Sequence, residues 1–121
     1  MPDNSNTHHQ FNYVEISAKD IDEAKRFYSA AFGWQFNDYG PDYVGIRRME
    51  TEGECGGICR ADEVRGGGPL VILFSDDLES SYESVKNAGG EISLEIIAFP
   101  GGRRFQFRDP SGNELAVWAE G

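Results

Sequence analysis

The sequence predicts an α+β fold of two βαβββ modules: a curved mixed sheet with helices on its convex face and a ligand cavity on its concave face. Three observations carry this. The chain repeats itself at an offset of 57 residues, so that AKDIDEAKRFYSAAFGW (18–34) falls on SDDLESSYESVKNAGGE (75–91) without a gap. Each copy holds one segment of helical apolar period, flanked by strand-like runs in the same order. Between the copies lies RGGGP (65–69), a glycine-rich linker with no strand-loop-helix context in which to cradle a phosphate. One module leaves a sheet face bare, and two side by side enclose a hollow of the kind ligands favour.

Residues 1–10 read as a mobile tail and 11–119 as one domain, with modules at about 11–61 and 69–119 and a linker at 62–68. The first strand is Phe11 to Ser17. Asp20 then opens a helix, its carboxylate placed to accept orphan N–H groups, and Glu23 three residues on completes a capping-box-like pattern. Ile21, Ala24, Phe27, Tyr28, Ala31 and Phe32 form the face this helix is expected to bury, and Gly33 stops it. WQFNDY, DYVGIRRM and CGGICR follow as strands. The second copy opens with Leu70 to Phe74, and Asp77 starts its helix. Leu78, Tyr82, Val85 and Ala88 form the buried stripe, and Gly89–Gly90 end the helix. EISLEIIAF, RRFQFR and NELAVW are its remaining strands. The turn before the last one, DPSGN, combines a fixed φ, a glycine and two side chains able to bond their own backbone.

At 13.4 kDa and 39% hydrophobic residues the chain has the size and composition of one globular domain. Its net charge of −10 argues against nucleic acid or an anionic membrane as partner. No stretch approaches the roughly 20 apolar residues of a membrane span. The polar start MPDNSNTHHQ has no secretory core, and a cytoplasmic location is expected. His8 and His9 read as solvated tail residues. Cys55 and Cys59 read as a reduced pair, with a loop disulfide or half of a thiolate site as the alternatives.

The paired βαβββ pattern, the FY-x(3)-FGW ending of the first helix and DPSGNEL before the last strand together resemble the vicinal oxygen chelate superfamily. That superfamily includes lactoylglutathione lyase, bleomycin-resistance proteins, fosfomycin-resistance enzymes and extradiol dioxygenases. The resemblance spans about residues 11–119. It implies dimerisation, and a homodimer is expected. In metal-using members the ligands stand on the first and fourth strand of each module. Carried onto this chain, those positions are Tyr13, Cys59, Leu70 and Ala116. Leu70 and Ala116 cannot ligate a metal, so no catalytic metal and no cofactor are expected. Glu114, two residues from Ala116 and on its face, is the one nearby carboxylate that offers a substitute.

Strand alternation puts Tyr13 and Glu15 on the face opposite Val14 and Ile16, the residues suited to pack on the helix. Among Leu70, Ile72 and Phe74, a Glu15 carboxylate is expected to have its pKa raised by desolvation and to be available as a general base. Its structural alternative is an ion pair with Arg47, Arg104 or Arg108. Arg47 and Arg104 are related by the repeat, and two guanidinium groups on one cleft would favour an anionic ligand. The sequence leaves open which face Phe105 and Phe107 occupy. The ligand-binding set is then Tyr13, Glu15, Arg47, Cys59, Leu70, Ile72, Arg104, Ala116 and Trp118. The leading function is metal-independent binding of an unidentified small molecule. The alternatives are a lyase or isomerase using Glu15, a metal-dependent lyase or dioxygenase, disfavoured by Leu70 and Ala116, and a non-catalytic interaction module.

Overall fold

Strand β1 (Phe11–Ala18) leads into helix α1 (Ile21–Phe32), followed by β2 (Phe36–Asp38), β3 (Tyr43–Arg47) and β4 (Glu54–Arg60). The order then repeats as β5 (Leu70–Phe74), α2 (Leu78–Asn87), β6 (Glu91–Phe99), β7 (Gly102–Arg108) and β8 (Glu114–Ala119). This computed structural model describes residues 6–63, 68–110 and 112–121. Residues 1–5 of the expected tail, 64–67 of the linker and Ser111 of the last turn lie outside the described residues. The α+β class and the βαβββ order of each module are those the repeat predicted. The chain forms two units, one comprising residues 13–69 and the other 6–12 and 70–121, apart from residues 1–5.

In the first unit the strand order is β2-β3-β4-β1, with β1 parallel to β4 and the rest antiparallel. Asp20 caps α1 as expected, accepting from the Glu23 N–H at 3.0 Å. Gly33 ends the helix at φ 74°, where a side chain would be strained. The core is Ile21, Val44, Ile46 and Ile58, joined by Ile16, Ala18, Ala24, Tyr28, Trp34 and Phe36. Four residues expected to be buried are exposed here. Phe27 and Phe32 are both 58% exposed, Ala31 is exposed, and Val14 is 42% exposed. A short helix over a four-stranded sheet covers only a narrow stripe, and Trp34, stacked on Tyr28 at 4.6 Å, fills the place assigned to Phe32.

The second unit has the order β5-β8-β7-β6, with β5 parallel to β8. Asp77 caps α2 through the Ser80 N–H at 3.1 Å. Leu78, Phe105, Val117 and Ala119 are its core, with Tyr82, Val85 and Phe107 packed against them. Phe105 and Phe107 therefore belong to the helix side of β7, which settles the face left open by the sequence. Ala88 is exposed at the helix C-cap, and Gly89 takes the positive φ of 101° beyond it. The last turn closes through Asp109, whose carboxylate accepts from the Asn113 N–H and side-chain amide, each at 2.9 Å.

Residues 6–10 behave differently from a free tail. The His9 N–H donates to Phe74 O at 2.7 Å and the Phe74 N–H to Gln10 O at 3.2 Å. His8 Nδ1 accepts from the Asp76 N–H at 2.9 Å, and His9 Nε2 lies 2.8 Å from Ser81 Oγ. Segment 6–10 is held both by its backbone and by the His8 and His9 side chains. Among the described residues no helix is long and apolar enough to cross a membrane.

Candidate functional site

The face of the first unit's sheet away from α1 gathers the polar side chains. On β1, Ile16 and Ala18 turn to the core, so Tyr13 and Glu15 stand on the other face. On β3, Val44 and Ile46 turn to the core, leaving Tyr43 and Gly45 on that same helix-free face. Strand β4 separates β1 from β3, and its Gly57 pairs with Glu15 on one side and Gly45 on the other. Two strand spacings amount to about 10 Å, a span that long side chains bridge only if the strand between them is bare. Gly57 supplies that gap: a Cβ there would lie 2.1 Å from the Tyr43 hydroxyl oxygen and 2.7 Å from that of Tyr13.

Over this glycine the Tyr43 hydroxyl donates to Glu15 Oε2 at 2.9 Å, and the hydroxyl oxygens of Tyr13 and Tyr43 are 2.8 Å apart. Burial pushes the pKa of both phenols well above the ordinary value. The negative charge of Glu15 adds to the rise at Tyr43, and the charges of Glu54 and Glu15 add to it at Tyr13. Both groups stay protonated. Beside them Glu54 accepts from Asn37 Nδ2 at 2.8 Å and from the Tyr39 hydroxyl, a bond that raises the Tyr39 pKa. Gly45 leaves room for that carboxylate.

Glu15 thus has a phenol among its partners, and Tyr43, Gly57, Asn37, Tyr39 and Glu54 were absent from the sequence-derived set. One signal for them was available. Two glycines inside a strand, Gly56–Gly57, mark a close approach by another group. Arg47 is exposed at the end of β3, and the Cys59 thiol reaches the Arg60 carbonyl oxygen at 3.7 Å. Cys55 and Cys59 are both free thiols. Four residues apart on one extended strand they are about 13 Å apart, beyond disulfide reach.

In the second unit, Leu70, Ile72 and Ala116 are 1, 3 and 0% exposed and belong to neither helix-packed cluster. Trp118 Nε1 donates to Asn12 Oδ1 at 2.8 Å, and its ring meets Phe74 edge-on at 5.3 Å. Arg104 Nη2 donates to Gln106 Oε1 at 2.8 Å. Glu114 Oε2 accepts from Gln106 Nε2 at 3.0 Å and from Ser93 Oγ at 2.7 Å. Two surface depressions lie near the helix N-termini: one of about 560 Å³ beside Asp20, Lys25 and Arg60, and one of about 290 Å³ beside Asp77 and Arg103.

The residues do not fit a metal centre of the three- or four-ligand kind. Leu70 and Ala116 present only carbon, and the Tyr13 hydroxyl is engaged with Tyr43. Among the described residues no group of three or more His, Cys, Asp or Glu is placed to hold an ion.

The sequence profile of the Glyoxalase/Bleomycin resistance protein/Dioxygenase superfamily matches residues 10–117. A glyoxylase-like domain-containing protein of Didymella fabae is 32% identical over 119 residues, covering 91% of this chain and 93% of that protein. The crystal structure of an Mn(II)-bound glyoxalase from Novosphingobium aromaticivorans superposes with a TM-score of 0.71 at 26% identity, over 93% of this chain. This chain spans only 39% of that one. A Streptomyces coelicolor methylmalonyl-CoA epimerase shares the fold, with a TM-score of 0.68 at 12% identity over 94% of this chain and 99% of its own. The matched profile and the Didymella relative each cover most of the sequence, and the chain belongs to the glyoxalase/bleomycin resistance protein/dioxygenase superfamily.

Proposed function

We propose that this protein is a metal-independent small-molecule-binding member of its superfamily, with Tyr13, Tyr43 and Glu15 as the polar part of its site. The observation that supports this most is the run of two half-buried phenols and a carboxylate laid over Gly57. Such an arrangement uses a bare stretch of strand to hold polar groups on a sheet face, as a ligand site requires. The N. aromaticivorans glyoxalase binds Mn(II), whereas aliphatic side chains here hold two of the four expected ligand positions. The proposal extends to a homodimer, to a cytoplasmic location and to Arg47 as counter-charge for an anionic part of the ligand. It keeps Cys59, Leu70, Ile72, Arg104, Ala116 and Trp118 as positions to be tested one at a time.

A second reading, a lyase or isomerase with Glu15 as general base, draws on the same carboxylate. Substitution Glu15→Gln separates the two. A binder keeps thermal stabilisation by its ligand, while a base-dependent enzyme loses roughly 10²-fold or more in turnover. Elemental analysis of the purified protein tests the metal-independent part: a stoichiometric transition metal overturns it.

A further inference from the structure

The chain of hydroxyls has a direction. A phenol carries a single proton, and that of Tyr43 is committed to Glu15 Oε2. Across the 2.8 Å to Tyr13, Tyr43 is left only as an acceptor, so the Tyr13 proton is committed to Tyr43. The order is Tyr13 O–H to Tyr43 O–H to Glu15 carboxylate. The Tyr13 oxygen keeps a lone pair and has no proton to offer. Glu15 and Glu54 both place negative charge near that oxygen, which favours an incoming positive hydrogen end.

We propose that the site takes, at Tyr13, a ligand group that donates a hydrogen bond, such as a hydroxyl or an amine N–H, and discriminates against a carbonyl or ether oxygen. This rests on the reading that the Tyr13–Tyr43–Glu15 face is the ligand site. A carbonyl there would need the Tyr13 proton turned outward. That breaks the bond to Tyr43 and leaves two hydroxyl oxygens at 2.8 Å with no proton between them. Losing one such bond corresponds to about tenfold in affinity. Gly57 is the positioning residue, because only its missing side chain lets the two hydroxyls meet.

The test uses cyclohexanol against cyclohexanone and phenol against anisole as probes, titrated into the full chain while the ring signals of Tyr13 and Tyr43 are followed by NMR. In the wild type the donor of each pair is expected to bind about tenfold more tightly. In Tyr43→Phe the Tyr13 proton is released, and the cyclohexanol preference is expected to vanish or invert. Equal binding within the pairs by wild type, or a preference unchanged in Tyr43→Phe, overturns the inference while leaving the site in place. Should Tyr43→Phe fail to fold, the wild-type ratios and their loss in Tyr13→Phe decide the matter. If none of the probes moves these signals, the ligand-site reading itself falls, and the inference with it.

Discussion

The first unit gathers phenols and carboxylates on the helix-free face of its sheet, and the second, from the same order of elements, combines buried Leu70, Ile72 and Ala116 with a network of Arg104, Gln106, Glu114 and Ser93. At the offset of 57, Tyr13 is matched by Leu70, Glu15 by Ile72, Cys59 by Ala116 and Gly57 by Glu114. The bare Gly57 lets two phenols cross β4, while Glu114 occupies its equivalent and collects bonds from Ser93 and Gln106. The helix sides diverge far less. Asp20 and Asp77 cap the same turn, and Ile21 and Leu78 bury the same first helical position. Packing a helix on a sheet constrains one face, and the other is free to acquire a site.

The strongest way to probe the shared side is Phe105→Ala, which empties a fully buried position of the second core. We expect a loss of about 3–5 kcal/mol in denaturant unfolding. Ile58→Ala in the first core is expected to cost about 2–5 kcal/mol. A cost under about 1 kcal/mol at either site would show that its core is not carrying that unit's stability.

Next comes the point where the units differ most. Gly57→Ala forces a methyl into the space of both hydroxyls and is expected to cost about 1–3 kcal/mol. It should also lower the ionisation pH of Tyr43 by separating it from Glu15, whereas Glu114→Ala should leave the first unit's phenols unchanged. A Tyr43 titration identical in Gly57→Ala and wild type would remove the role assigned to that glycine.

Raised pH gives a third comparison. Tyr13 and Tyr43 ionise above the ordinary phenol value of 10.0, so the unfolded chain gives up these protons first. The stability from keeping them neutral is full below pH 10 and falls as pH rises further. Tyr82 of the second unit is also raised, but by a surface bond to Glu95, and it should ionise without unfolding. Tyrosinate absorbance that rises in one step for all tyrosines, well before secondary structure is lost, would contradict this difference.

The smallest effect belongs to the caps. Asp20→Ala and Asp77→Ala should each cost about 1 kcal/mol, measured by thermal unfolding. Unequal costs would show that the two helix starts, alike in geometry, are not alike in energy.

The repeat was legible because its signals are local. A capping aspartate, a helical apolar period and a strand's bounding turns act over a few residues, so β5 and β6 begin and end where the sequence put them. The depth of burial was not legible. Phe27 and Phe32 fit the helical period yet face solvent, because period gives direction and not the reach of the covering sheet. Tyr13 and Glu15 were assigned to the correct face by alternation alone. Tyr43 was missed because its importance depends on register across two strands. The segment 6–10 was missed because its hold on Phe74 is through backbone groups that every residue shares.

By itself, then, the sequence determined the order of elements, the two capped helices and the face of β1 on which Tyr13 and Glu15 stand. Tertiary structure decided which polar groups meet. Tyr43 reaches Glu15 only because β3, β4 and β1 align to place a glycine beneath both phenols. The reason is one of range: propensity and alternation are fixed within a few residues, while a hydrogen bond between positions 28 residues apart exists only once register has been set.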